Sequence, residues 1–199
     1  MKIVAPTAEG IRIAAEAIRA GEVVAYPTET LYGLGVDPFS EAALARLIEV
    51  KGRDPNKPFL LIAADMDQVA RVACDISLRA QAYAAAFWPG PLSLLLPKTP
   101  GLAYGVTAAS DKVCVRIPAC DTARELCRLV GRAVTSSSAN PAGKPPARCL
   151  AEIRLPGVAV GIDGGTLAPS PPSTIYDPDL DILLRKGAIS RQQLADAGC

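Results

Sequence analysis

At 199 residues, half of them hydrophobic and 21% charged, the chain has the size and composition of one globular domain, and a disordered chain is excluded. It contains no histidine, which rules out Ser-His-Asp and Cys-His nucleophilic catalysis and histidine-ligated zinc. A net charge of +1 argues against a general polyanion binder, so any phosphate chemistry must rest on locally arranged Lys and Arg.

The opening segment MKIVAPTAEG carries one lysine and then turns polar, unlike a secretory leader. From Thr7 to Ala20, Ile11, Ala14, Ala15 and Ile18 recur at helical spacing, with Thr7 to cap the start and Gly21 to end it. Val23 to Tyr26 reads as a buried strand that Pro27 stops, having no N–H to offer. The stretch Ala25–Asp37, AYPTETLYGLGVD, is then a hydroxyl-rich loop in which Gly33 and Gly35 are expected to supply backbone angles closed to other residues. Polar loops at strand ends are where open α/β sheets place ligands. Ser40 caps a second helix with Leu44, Leu47 and Ile48 on one face and Gly52 as its stop. Lys51 shares that inward face, either as a snorkelling C-terminal cation or as a lysine aimed at a buried anion.

A basic turn, Arg53–Pro58, leads to a strand at Phe59–Ala63. Asp65 and Ser77 look like caps for two further helices, and Trp88-Pro89-Gly90-Pro91 breaks the second. Leu92–Leu96 and Val113–Ile117 read as strands, Asp121–Gly131 as a capped amphipathic helix, and Ala133–Thr135 as a strand emptying into Ser136-Ser137-Ser138-Ala139-Asn140. Pro141–Pro146 cannot be regular; Val158–Ile162, Ser173–Tyr176 and Ile182–Leu184 are strands and Ser190–Ala197 a helix. The six cysteines include no C-x-x-C pair and are expected as thiols. No apolar run approaches the roughly 18–20 residues of a membrane span, so the protein is expected in the cytoplasm. Residues 1–199 therefore form one α/β domain, a twisted mixed sheet flanked by helices.

Several predicted element ends carry hydroxyl or anion-seeking groups: Thr28 and Thr30, Lys51 and Arg53, Arg116, Ser138 and Asn140, Ser173 and Thr174, Arg185. Arg116, among apolar neighbours on a strand, needs a carboxylate, supplied either by the protein, with Glu29 a candidate, or by a ligand. There is neither a G-x-x-x-x-G-K-[ST] nor a G-x-G-x-x-G motif, so a phosphate would meet discrete side chains rather than a glycine cradle.

Pro27-Thr28-Glu29-Thr30-Leu31-Tyr32-Gly33-Leu34-Gly35 resembles the signature of the YrdC/TsaC proteins, the threonylcarbamoyl-AMP synthases. The resemblance continues through Lys51-Gly52-Arg53, Trp88–Leu92, Val115–Pro118, Ser138–Asn140, Pro172–Ile175 and Leu184–Gly187, in the family's order over nearly the whole chain. It implies condensation of L-threonine, bicarbonate and ATP to threonylcarbamoyl-AMP and pyrophosphate. The product would pass to a tRNA threonylcarbamoyltransferase for modification of adenosine 37, and direct tRNA contact is open. By motif, the ATP phosphates would meet the catalytic Lys51 and Arg53 together with Ser138 and Asn140, with Arg185 on the nucleotide; Lys57, Lys112 and Arg148 stand at further nucleotide positions. Threonine would meet Thr30, Arg116, Ser138 and Ser173. Mg2+ would travel with ATP, with no resident metal expected. This chain departs from the pattern at Lys57, where some longer members have Asn; at Ile62, where they have a threonine-contacting His; at Ser93 for the commoner Thr; and at Arg148, where a small hydroxyl residue can contact the nucleotide. Lys112 would contribute mainly backbone. The longer members' second, C-terminal domain is expected to be absent. Two other readings compete: an RNA-binding module without catalysis, disfavoured by near-neutral charge and few aromatics, and a carbamoyl-transfer domain.

Overall fold

In the computed structural model, which describes residues 1–197, the chain opens with a short strand, β1 (Lys2–Val4), that lies outside the expected elements. Cys199 lies beyond the described residues. The Thr7 hydroxyl accepts the Gly10 amide and caps α1 (Ala8–Arg19), whose buried face is the one its spacing predicts. Strand β2 (Val23–Pro27) is buried at every residue and folds back into β3 (Tyr32–Gly35), a strand within the expected loop. Ser40 caps α2 (Glu41–Lys51), which Gly52 closes at φ 58°, a left-handed angle that glycine takes without strain.

Next come β4 (Leu60–Ile62), then α3 (Met66–Val69) and α4 (Leu78–Phe87), capped by the Asp65 and Ser77 side chains as expected. Strand β5 (Leu92–Pro97), a single turn α5 (Tyr104–Thr107) and β6 (Lys112–Arg116) precede α6 (Asp121–Val130). Only the far end of α6 is capped, by Gly131 at φ 85°, because the side chain of Cys120 makes no cap bond. The chain continues through β7 (Val134–Thr135), β8 (Ser137–Ser138), a 3-10 turn at Leu150–Glu152, β9 (Val158–Ile162), β10 (Thr174–Asp177), β11 (Ile182–Arg185) and α7 (Arg191–Ala197).

The strands divide between two mixed sheets rather than the single sheet expected, with orders β1-β9-β2-β3-β8 and β11-β10-β5-β6-β4-β7. The split happens at one residue. Thr135 pairs with Leu61 in the second sheet, Ser137 pairs with Leu34 in the first, and the Ser136 amide between them donates to the Leu60 carbonyl at 2.7 Å. Successive side chains of β2 serve two cores, as the pleat requires. Val23 and Ala25 join the larger core with α2, α4, β5 and β6; Val24 and Tyr26 join a second core beneath α1 and α6.

Gly33 and Gly35 are glycines for a different reason from the one expected. Neither has a positive φ. A Cβ on Gly35 would stand 2.7 Å from Cε1 of Tyr26, and one on Gly33 would be 3.1 Å from Oγ of Ser136. The fully buried Tyr26 ring, whose hydroxyl donates to the Thr135 carbonyl at 2.7 Å, occupies the space that side chains would take.

Candidate active site

Element ends from both sheets converge on a cavity of about 270 Å3. The turn between β2 and β3 contributes Thr30, the loop after α2 Arg53, the end of β6 Arg116, β8 Ser138, the approach to β10 Ser173 and the end of β11 Arg185. Of the residues singled out in the sequence, these six share one wall. Leu95, Cys114, Ile175 and Leu184 supply an apolar side that the motifs did not disclose, since apolar strand residues read equally as core. Burial pushes the Cys114 thiol up to about 12, so it presents a neutral S–H.

The turn carrying Thr30 is held by its own hydroxyls. Thr28 Oγ1 accepts the amides of Thr30 and Leu31, each at 3.2 Å, and donates to the Leu31 carbonyl at 2.7 Å. That closure sets Thr30 Oγ1 3.4 Å from Nη2 of Arg116. Arg116 is 2% exposed and has the protein carboxylate that the sequence offered: its Nη1 is ion-paired to Glu29 and also donates to the Gly90 carbonyl at 3.3 Å. The pairing is incomplete, because Nε of Arg116 and Oε2 of Glu29 are both buried without a partner.

Farther along the lining, Arg185 donates from Nε and Nη2 to the Ser173 carbonyl at 3.0 and 2.8 Å, and from Nη2 to Ser173 Oγ at 2.9 Å. Ser93, buried at β5, donates to the same Oγ at 2.9 Å. Arg53 stacks over Phe59, 4.6 Å from the ring centre, and donates to the Pro58 carbonyl at 2.8 Å, while its Nε is buried without a partner. Burial lowers the pKa of Arg53 and Arg185, yet guanidinium starts so high that both stay cationic. Three permanent cations thus face one small space that also contains hydroxyl groups.

Lys51 stands behind that wall. It is 4% exposed, and its Nζ donates to the carbonyls of Ser138 and, at 3.1 Å, Asn140. Burial, with Arg53 adding repulsion, draws its pKa from 10.5 to about 8. Asn140 turns its Nδ2 to the carbonyls of Pro141 and Lys144 and leaves Oδ1 buried without a partner. Lys51 and Asn140 therefore meet the cavity through Ser138 rather than directly.

Three further sequence candidates stand outside the cavity wall. Lys57 is exposed on its turn. Lys112, at the other end of β6 from Arg116, is ion-paired to Asp177 at 2.6 Å. Arg148 is exposed and donates to the Leu167 carbonyl at 2.9 and 2.6 Å. Among the described residues no cluster of three or more His, Cys, Asp or Glu could hold a metal, and no helix is long and apolar enough to cross a membrane.

The Sua5/YciO/YrdC family model, described as telomere recombination, matches residues 16–187. The threonylcarbamoyl-AMP synthase of Pyrococcus abyssi is 39% identical over 189 residues, which is 92% of this chain and 56% of that protein. The protein of the same name in Chromohalobacter salexigens is 41% identical over 182 residues, 90% of this chain and 98% of the relative. Among solved structures, P. abyssi Sua5 complexed with L-threonine has a TM-score of 0.89 at 38% identity, covering 94% of this chain and 56% of that one. The chain thus spans little more than half the length of the Pyrococcus protein and nearly all of the Chromohalobacter one.

Proposed function

The chain belongs to the Sua5/YciO/YrdC family, and on that premise we propose that it is an L-threonylcarbamoyladenylate synthase, a nucleotidyltransferase condensing L-threonine, bicarbonate and ATP. The observation that carries the reading is the convergence of Arg53, Arg116 and Arg185 on one cavity interleaved with the hydroxyls of Thr30, Ser138 and Ser173. A carboxylate and a polyphosphate have to be brought together there, and cations with fixed hydroxyl donors are what such a union needs.

Arg116 takes the threonine carboxylate, with Thr30 and Ser173 beside it. Arg53, Ser138 and Arg185 take the phosphates and nucleotide, and Lys51 and Asn140 support that side through the Ser138 segment. Threonine, bound as its zwitterion, first gives its ammonium proton to solvent, and the free amine then adds to bicarbonate carbon with loss of water, giving a carbamate. A carbamate oxygen then attacks the α-phosphorus of ATP, and the bond to the β-phosphate oxygen breaks to release pyrophosphate. Positioning and charge neutralisation by fixed cations supply the rate; a histidine base is not required. Mg2+ fits as an ion carried on the phosphates, since it favours phosphate oxygens and water. The product is handed to a tRNA threonylcarbamoyltransferase in the cytoplasm.

Pyrophosphate release from ATP, with threonine and bicarbonate each present or withheld, tests the reading. Release that requires both is expected. Release indifferent to threonine overturns it.

A further inference from the structure

Arg116 and Glu29 form an ion pair at the cavity that is left half made. Arg116 Nη1 holds Glu29, yet Nε of the arginine and Oε2 of the glutamate are both buried with no partner. The two residues also differ in freedom. The Arg116 side chain is 3% exposed and anchored to Gly90 and Thr30; that of Glu29 is 21% exposed. Glu29 is the member with room to move.

Resting on the functional reading above, we infer that Glu29 is the residue that selects an amino acid over a plain hydroxy acid, because the substrate zwitterion inserts into this pair. The substrate carboxylate takes the Arg116 guanidinium, and its ammonium takes the released Glu29 carboxylate. Charge makes the exchange specific. A simple carboxylate arriving at Arg116 leaves two carboxylates against one buried guanidinium, and the uncompensated charge is costly away from water. A zwitterion brings its own cation, so every charge ends paired. The reach is right as well. Glu29 already touches the guanidinium that would bind the incoming carboxylate, and an α-amine is one carbon away from its own carboxylate. No Asp or Glu lines the cavity itself, so Glu29 is the carboxylate the ammonium meets at that wall.

The test is calorimetric binding of L-threonine and of 3-hydroxybutyrate to the wild-type protein and to Glu29→Gln. The second ligand keeps the carboxylate and the hydroxyl and replaces the amine-bearing carbon by CH2. Glutamine keeps the shape of Glu29 and an acceptor for Arg116, so the guanidinium stays oriented. The wild-type protein is expected to prefer threonine at least about tenfold, the equivalent of about 1.4 kcal/mol. In Glu29→Gln threonine weakens, 3-hydroxybutyrate does not, and the preference falls to within about twofold. Equal weakening of both ligands means that Glu29 merely positions Arg116, and it overturns the inference while threonine binding keeps the functional reading intact. A wild-type protein that binds 3-hydroxybutyrate as tightly as threonine overturns it without recourse to the variant. No threonine binding by the wild-type protein overturns the functional reading and this inference together.

Discussion

Replacing Lys51 by methionine isolates a buried charge whose cost depends on pH. The side chain is 4% exposed, its ammonium donates to the carbonyls of Ser138 and Asn140, and its pKa is drawn from 10.5 to about 8 by burial and by Arg53. Methionine keeps the length and loses both donors. Hydrogen bonds from a charged group contribute about 1.5–3 kcal/mol each, but relief of the burial penalty offsets part of that, leaving a net loss of about 1–3 kcal/mol near pH 7. The sign of the pH dependence follows from linkage. Between pH 8 and 10.5 the unfolded chain holds the lysine proton more firmly than the folded one, so stability from this group rises with pH through that window. Below pH 8 the full penalty is present. One pKa unit is worth about 1.4 kcal/mol; after a discount for solvent at the cavity side, the wild-type advantage over Lys51→Met should widen by about 1–2 kcal/mol between pH 7.5 and 10. Urea unfolding of both proteins across that range measures it, and the difference between them cancels the tyrosines and cysteines that titrate in both. A gap that stays constant or narrows as pH rises would refute the account of Lys51 as a buried cation under strain from desolvation.

The same lysine makes ATP binding take up a proton above pH 8, because polyphosphate near the Ser138 segment favours the ammonium; calorimetry in buffers of different ionisation enthalpy reads the uptake, and buffer-independent heats would place the phosphates elsewhere. Arg116→Met strands Glu29 without its counter-ion and should cost about 2–4 kcal/mol, with a second change, Glu29→Gln, restoring at least half. Urea midpoints of the single and double variants decide this, and equal midpoints would mean that the pair is not coupled. Gly187→Ala would bring a Cβ to 2.2 Å from the Pro172 carbonyl oxygen and 2.5 Å from the Thr174 amide, so the Ser173 wall must move. A stability loss of about 2–4 kcal/mol and weaker threonine binding are expected; unchanged threonine affinity would detach that wall from the amino acid.

Local chemistry made much of this protein legible before any fold was known. Thr7, Ser40, Asp65 and Ser77 each accept the amide three residues on, as their side chains and spacing imply, because a helix start is decided within one turn of chain. The order of the short motifs pointed to the family for a similar reason: each is a local cluster whose residue types survive without knowledge of their neighbours in space. What escaped were pairings between distant segments. Tyr32–Gly35 and Ser137–Ser138 are too short and too rich in glycine and serine to show a strand pattern, and they become strands only by bonding to β2 and to each other. The division into two sheets depends on Ser136, whose role comes from what Thr135 and Ser137 pair with on either side. Arg116 announced a need for a carboxylate, but its choice of Glu29, 87 positions away, had to await the meeting of β6 with the turn after β2. Composition and spacing thus picked out side chains whose chemistry suits anions. Only the tertiary structure decided that Arg53, Arg116 and Arg185 face one cavity while Lys51 lies behind it, because burial and long-range pairing are properties of the packed chain.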